Sequence, residues 1–205
     1  MATSSAVYDS ADAVRLRDGR VSDCKNIAQL INTSAEGAAE YLFSGVNSST
    51  APIDYLATLL EQELYYSYAN TVVAEIEDKV VGMALSFPAE GLAIRPQMQK
   101  QYSAQQLLYI QNFVENKIAE SWHLDAICVL PEFRNCGIGN KLLAAVKIKA
   151  QEYKFTSVGV FVFASNEAAF RFYRRYGFNH QADINAQAQE FLRAKNGLRL
   201  MECKL

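Results

Sequence analysis

The chain has 205 residues, half of them apolar, with a formal net charge of -2 and a pI near 5.8. That length and apolar content suffice for one substantial core and favour a single domain over two. The charge balance excludes the basic footprint of a nucleic-acid binder. No apolar run approaches the roughly twenty residues that span a bilayer, and Cys24, Cys128, Cys136 and Cys203 lack the close pairs of a zinc site or the density of a disulfide scaffold. A reducing cytoplasm, with no metal, membrane or nucleic acid involved, is the simplest expected setting. The charge is uneven: residues 31–91 hold nine Asp or Glu against Lys79, whereas 132–154 hold five Lys or Arg against two Glu. An acidic half joined to a basic loop would suit an anionic cofactor and a cationic acceptor, or be a solvated acidic surface.

Residues 1–13 are small and polar, without the basic start or apolar core of a secretory signal, and read as a loose tail ahead of one domain over 14–205. Val14 to Arg17 reads as a strand. Ser22 or Asp23 then caps a helix whose apolar positions are Ile27, Ala28, Leu30 and Ile31. Asn32 to Gly37 ends it. A second helix is expected around Asp54 to Tyr68, with Leu56, Leu59, Leu60, Leu64 and Tyr68 on related faces. Thr71 to Glu77 and Val80 to Phe87 follow as strands joined through Asp78-Lys79, a hairpin whose turn lacks glycine. Residues 88–118 form an insertion, broken by Gly and Pro up to Ser103 and then helical from Ala104 to Ala119.

The next segment is mostly apolar and compatible with a strand covered on both faces. In it Trp122, Leu124, Ala126, Cys128 and Leu130 alternate with His123, Asp125, Ile127 and Val129. Pro131 has no amide hydrogen and stops strand pairing. Ile138, Leu142, Leu143, Val146, Ala150 and Tyr153 then recur at helical spacing, so a helix opens at the glycines of Arg134-Asn135-Cys136-Gly137-Ile138-Gly139. Unpaired amides at a helix opening carry partial positive charge, the glycines let an anion approach, and Arg134 adds a planar cation suited to phosphate oxygens. A diphosphate fits that description. A P-loop would need Gly-Lys-Ser/Thr, and a dinucleotide fold a third glycine three residues on; Gly139 is followed instead by Asn140, Lys141 and Leu142. Ser157 to Phe163 is another buried strand and Asn166 to Tyr176 a helix, capped by Ser165 or Asn166 and stopped by Gly177. Phe178 to Ile184 and Leu198 to Leu205 read as closing strands around a polar Ala/Gln loop.

Residues 134–139 resemble the Q/R-x-x-G-x-G/A element of the GCN5-related N-acetyltransferases, the GNAT superfamily. Asn166 to Phe178 looks like the family's N-x-x-A-x-x-F-Y-x-x-x-G-F stretch. The element order along the whole chain matches the family's too, although only 121–178 is specific. Asn32 to Gly37 and Tyr41-Leu42-Phe43 are similar to a common bacterial subgroup whose members mostly lack a known substrate. The resemblance implies an α/β (α+β) fold, a mixed central sheet flanked by helices, and an acetyl-CoA-dependent N-acetyltransferase of the acyltransferase class EC 2.3.1. The amine acceptor would be a small molecule or a protein amino group. Relatives commonly dimerise, so a homodimer is a possible partner state.

The resemblance assigns the cofactor grip to backbone amides of Arg134, Asn135, Cys136, Gly137, Ile138, Gly139 and Asn140, with Cys128, Val129 and Leu130 bonding the pantetheine arm like an added strand. Asn166 would touch coenzyme A or serve as a helix cap. The Val129 amide would stabilise the oxyanion, a donor typically worth ~3 kcal/mol. Tyr173 would protonate the departing thiolate or be an aromatic core residue. Keeping a lysine-like amine neutral at pH 7 costs about 4 to 5 kcal/mol, so a base is required. His123 and Asp125 share a strand face, and His123 has the better solution pKa; Glu36, Glu75 and Glu77 stay open, and His180 reads as a strand-edge residue. The rival is a non-catalytic acyl-CoA-binding or sensing module, and Cys128 near the expected sulfur path keeps a covalent acetyl-enzyme open.

Overall fold

The computed structural model describes residues 14–47, 49–185 and 197–205; the expected tail at 1–13 and nearly all of the Ala/Gln loop lie outside them. Seven strands form a mixed sheet. In spatial order they are β1 (Arg15–Asp18), β2 (Thr71–Ile76), β3 (Lys79–Pro88), β4 (Trp122–Val129), β5 (Ser157–Phe163), β7 (Leu198–Lys204) and β6 (Asn179–Ile184). Neighbours are antiparallel except β4 and β5, which run parallel. The helices are α1 (Cys24–Ser34), α2 (Ala38–Phe43), α3 (Pro52–Gln62), α4 (Pro96–Gln101), α5 (Ala104–Asn116), α6 (Ile138–Glu152) and α7 (Glu167–Arg175).

Two large apolar cores hold the layers together, with two smaller clusters beside them among the described residues. On one face Ile138, Leu142, Leu143, Val146 and Ala150 of α6 pack with Trp122, Leu124, Val158 and Val160 of the sheet, joined by Tyr173 of α7. On the other, Ile27, Ala28 and Ile31 of α1 and Leu56 and Leu60 of α3 pack on Met83, Leu85, Ala126 and Cys128. A sheet covered on both faces explains why its central strands read as nearly continuous apolar runs. Among the described residues no helix is long and apolar enough to cross a membrane.

Four expectations need correction. The helix expected to Tyr68 ends at Gln62, because Glu63 turns extended; beyond it Ser67 Oγ donates to the Leu60 carbonyl at 3.2 Å and Asn70 Nδ2 to those of Leu64 and Tyr65 at 2.9 Å, which hold a non-helical chain. The insertion helix stops at Asn116, since Lys117 is extended and its Nζ reaches the Leu92 carbonyl at 2.6 Å. Short helix α4 forms where broken chain was expected, and α2 occupies a stretch to which no element was assigned. Finally, the alternation along β4 is interrupted: Leu85 faces Ala126 but Ser86 faces Leu124, so Asp125 is an extra residue in a β-bulge. The bulge switches the parity, placing Ala126 and Cys128 on the α1/α3 side although Trp122 and Leu124 lie on the α6 side. The β2–β3 hairpin forms without glycine, with Glu77 and Asp78 both left-handed at φ 47 and 61.

β1 is tied in by a buried ion cluster. Arg17 meets Asp23 through both terminal nitrogens, at 2.6 and 3.1 Å, and donates from Nε to Glu75 Oε2 at 2.7 Å. Their side chains are about one-tenth exposed. Arg17→Met would leave two carboxylates buried without their cation, and denaturant unfolding should register a loss of about 3 kcal/mol. A loss under about 0.5 kcal/mol would mean that the cluster contributes no more than a surface pair.

Candidate active site

β4 and β5 pair over Trp122–Val158, His123–Gly159 and Leu124–Val160. Each then follows its other neighbour, β4 along β3 to Val129 opposite Gly82 and β5 along β7 to Phe163 opposite Leu198. The strands diverge and open a gap. The Leu130 amide donates to the Val81 carbonyl at 2.9 Å, so antiparallel alternation turns the amide and carbonyl of Val129 away from β3, into the gap. Its carbonyl accepts from Arg134 Nε at 3.0 Å. The Cys128 and Leu130 amides face β3 by the same alternation, and Leu130 does not line the cavity described below; of that expected trio, Val129 is the residue whose amide faces the gap.

The loop into α6 has the backbone its sequence suggested. Asn135 and Gly137 take left-handed φ values of 62 and 78, and α6 begins at Ile138. A Cβ built on Gly137 would meet nothing within 4 Å, so the space beside it is open to a ligand. The Asn140 and Lys141 amides turn back onto the Gly137 carbonyl at 3.1 Å, which leaves the outward donors of the first turn ahead of Asn140. Ile138 is buried in the core, and Asn135 and Cys136 lie toward solvent. Gly139 sits beside Phe172, whose ring would stand 3.6 Å from an added Cβ, an ordinary contact.

A cavity of about 970 Å³ runs from this gap to the ends of α1, α3 and α5, and brings His123, Asp125, Cys128, Val129, Arg134, Asn166 and Tyr173 to one space. Glu36 also lines it; Glu75 and Glu77 do not, being held in the ion cluster and the hairpin turn. His180 pairs with Asp183 at 2.9 Å on the edge strand β6. Asn166 caps α7, its Oδ1 accepting from the Ala169 amide at 2.9 Å, while Nδ2 faces Glu36 Oε1 at 3.5 Å.

His123 and Asp125 line the same cavity in different surroundings. His123 is wedged between the rings of Phe87 and Phe161, with centroids at 5.7 and 5.6 Å. Burial, helped by the charge of Lys117, pushes its imidazole down to about 3, so it is neutral at physiological pH. The solution pKa that favoured His123 as a base does not survive this pocket. Asp125 lies 3.9 Å from the His123 ring and faces the cavity. Burial raises its carboxyl to about 7, and a hydrogen bond from the Tyr66 hydroxyl limits the rise. Tyr173 is 5 % exposed, packed edgewise on Phe172 and tilted against Phe178 at 5.3 and 5.2 Å, and burial pushes its phenol above the ordinary value.

Two contributors escaped the sequence reading. Tyr66 sits in a Tyr-Tyr-Ser-Tyr run that reads as helix, with nothing to mark the one hydroxyl that meets Asp125. Gly82 faces Val129: a Cβ there would stand 2.9 Å from the Cys128 carbonyl and 3.3 Å from Val129 Cγ2, so glycine lets β3 approach β4 where the gap opens.

A model of the acetyltransferase (GNAT) family matches residues 39–178. The fold is similar to the crystal structure of an acetyltransferase, at 22% identity over 93% of this chain and 98% of that one, with a TM-score of 0.65. It is also similar to an N-acetyltransferase from Staphylococcus aureus, at 20% identity over 92% and 99% of the two chains with a TM-score of 0.68. An N-acetylglutamate synthase from Neisseria gonorrhoeae, solved with coenzyme A and N-acetylglutamate, shares 14% identity over 94% of this chain and 35% of its own, with a TM-score of 0.54. No curated protein sequence matches significantly. With the glycine loop, the diverging strands and a family match over more than half its length, the chain belongs to the GNAT acetyltransferase family.

Proposed function

We propose that the protein moves the acetyl group of acetyl-CoA to a primary amine by direct attack within a ternary complex. The observation that carries this reading is the convergence, in one cavity, of the diverging strand edge at Val129, the Asp125 carboxyl and the Tyr173 hydroxyl. Coenzyme A would supply an activated thioester. The residues suit it: the donors at Gly137 to Gly139 and the Arg134 guanidinium would hold its diphosphate, and the Val129 amide, turned away from β3, would donate to its acetyl oxygen.

Asp125 is the base. An ammonium entering the cavity loses hydration, which lowers its pKa, and the same burial raises that of Asp125, so both shifts move the proton toward the carboxylate. The neutral nitrogen attacks the carbonyl carbon. A carbon–nitrogen bond forms, the carbon–sulfur bond breaks, Tyr173 gives its proton to the sulfur and is restored by the second proton leaving the nitrogen. Asp125 then releases its proton to solvent, leaving an amide and a free thiol. His123, neutral and wedged between rings, stands beside Asp125 without titrating, and the hydrogen bond from Tyr66 positions the carboxylate. Cys128 is buried, and burial raises its thiol, which favours direct attack over an acetyl-enzyme.

Asp125 must be ionised to act, so kcat/KM should climb as pH rises through about 7 and then level. Asp125→Asn should remove that limb and lower the rate by about 10²-fold or more, whereas His123→Gln should keep the limb; a limb that persists in Asp125→Asn would assign the base elsewhere. Tyr173→Phe should depress turnover by about 10²-fold with acetyl-CoA affinity, read by calorimetry, unchanged. Wild-type turnover would make Tyr173 a packing residue. Gly137→Glu puts a strained, negative residue in the loop and should weaken acetyl-CoA binding at least about tenfold, ~1.4 kcal/mol; equal affinity would remove the diphosphate assignment.

A further inference from the structure

The acceptor end of the cavity is built from aromatic rings delivered by separate elements. Phe43 of α2 meets Tyr55 of α3 at 5.9 Å and Tyr102, which follows α4, at 6.4 Å. The Tyr55 and Tyr102 hydroxyls are hydrogen-bonded to each other. Tyr66 bonds Asp125, and Tyr109 of α5 lies close enough to feel its charge. All five rings line the same space as Asp125.

The insertion is fastened over this end. Gln106 is 5 % exposed, and its Nε2 donates to the carbonyls of Tyr41, Leu42 and Ser44 at 3.2, 2.9 and 2.9 Å. These carbonyls lie at the C-terminal end of α2, so one buried side-chain amide ties α5 to α2. A concave chamber of this volume lined by aromatic rings suits a small molecule.

Charge narrows the choice. Among the described residues lining the cavity the acids are Glu36, Glu63 and Asp125 and the bases Arg95 and Arg134. Glu63 is paired with Arg95, Glu36 faces Asn166 at the start of α7, and Arg134 is held at the Val129 carbonyl. Asp125 and the exposed Glu36, whose partner Asn166 is neutral, are thus the lining acids without a cationic partner; Asp125 is the one set among the rings, and both lining arginines are engaged. Tyrosine faces and one carboxylate together suit a single ammonium on an apolar body.

We infer that the acceptor is a small amine with an aromatic or bulky apolar body and no carboxylate, its nitrogen at Asp125 and its body against Phe43, Tyr55 and Tyr102. This rests on the acetyl transfer proposed above. The test is thiol release from acetyl-CoA with 2-phenylethylamine, free phenylalanine, spermidine and a short peptide with a free N-terminus. The kcat/KM for 2-phenylethylamine should exceed each of the others by at least about tenfold, because a carboxylate finds no unengaged cation among the rings and a polyamine or peptide sets no comparable apolar body against them. Comparable or better turnover of any competitor overturns the acceptor assignment and leaves acetyl transfer standing. Should no amine release thiol although acetyl-CoA binds, the transfer reading falls. Calorimetry of the same compounds on the CoA-loaded protein then decides the acceptor end by itself, with preferential binding of 2-phenylethylamine supporting it and no preference overturning it. Tyr55→Leu should raise KM for 2-phenylethylamine about fivefold while leaving ethylamine unchanged; an equal change for both would mean that Tyr55 acts on the fold and not on the ligand.

Discussion

Everything about the candidate site follows from the parting of β4 and β5 after three residue pairs. Backbone amides and carbonyls are obligatory hydrogen-bonding groups, and a parallel pair that stops short leaves a row of them facing a gap inside the protein. β3 and β7 hold the outer sides of the two strands, so the sheet survives and the opening is stable. A ligand with its own amides can complete such an edge as a further strand would. The glycine loop lies at the mouth of this opening because it is the continuation of β4 itself.

The bulge at Asp125 is the second consequence of that strand. One extra residue lets β4 stay on β3 while its side chains change parity, so Cys128 joins the α1/α3 core and Ile127 and Val129 pack toward α6. Asp125 stays on the cavity side with His123, and the residue that follows it joins that side too. Two residues away, His123 is sealed between Phe87 and Phe161. Side chains of nearly opposite solution behaviour are thereby exchanged: the imidazole is held neutral down to about 3 and the carboxyl keeps its proton up to about 7. Desolvation drives both shifts, because in each case it penalises the charged form.

The rest of the structure stabilises this arrangement from outside. α6 spans the sheet behind the loop, the Arg17 cluster ties β1 to α1 and β2, and Gln106 fastens the insertion to α2. The insertion has the least regular sequence of the chain, yet it supplies Tyr102 and Tyr109 to the chamber wall. Variable connecting segments carried by a rigid sheet are where acceptor selectivity is expected to reside.

The sequence by itself determined the elements whose signals are local. Helical and strand periodicity marked α6, β5 and α7, Asn166 and Gly177 marked the ends of α7, and the spacing of Arg134, Gly137 and Gly139 marked the anion loop together with the family. Those signals depend on neighbours a few residues apart, so they survive without a fold. Tertiary structure alone decided the bulge in β4, the meeting of Tyr66 with Asp125 and the docking of Gln106 on α2. Each joins residues from separate strands or helices, up to 65 positions apart for Gln106 and Tyr41. The ranking of His123 over Asp125 rested on solution pKa values; desolvation reversed it, and desolvation is a property of the packed surroundings.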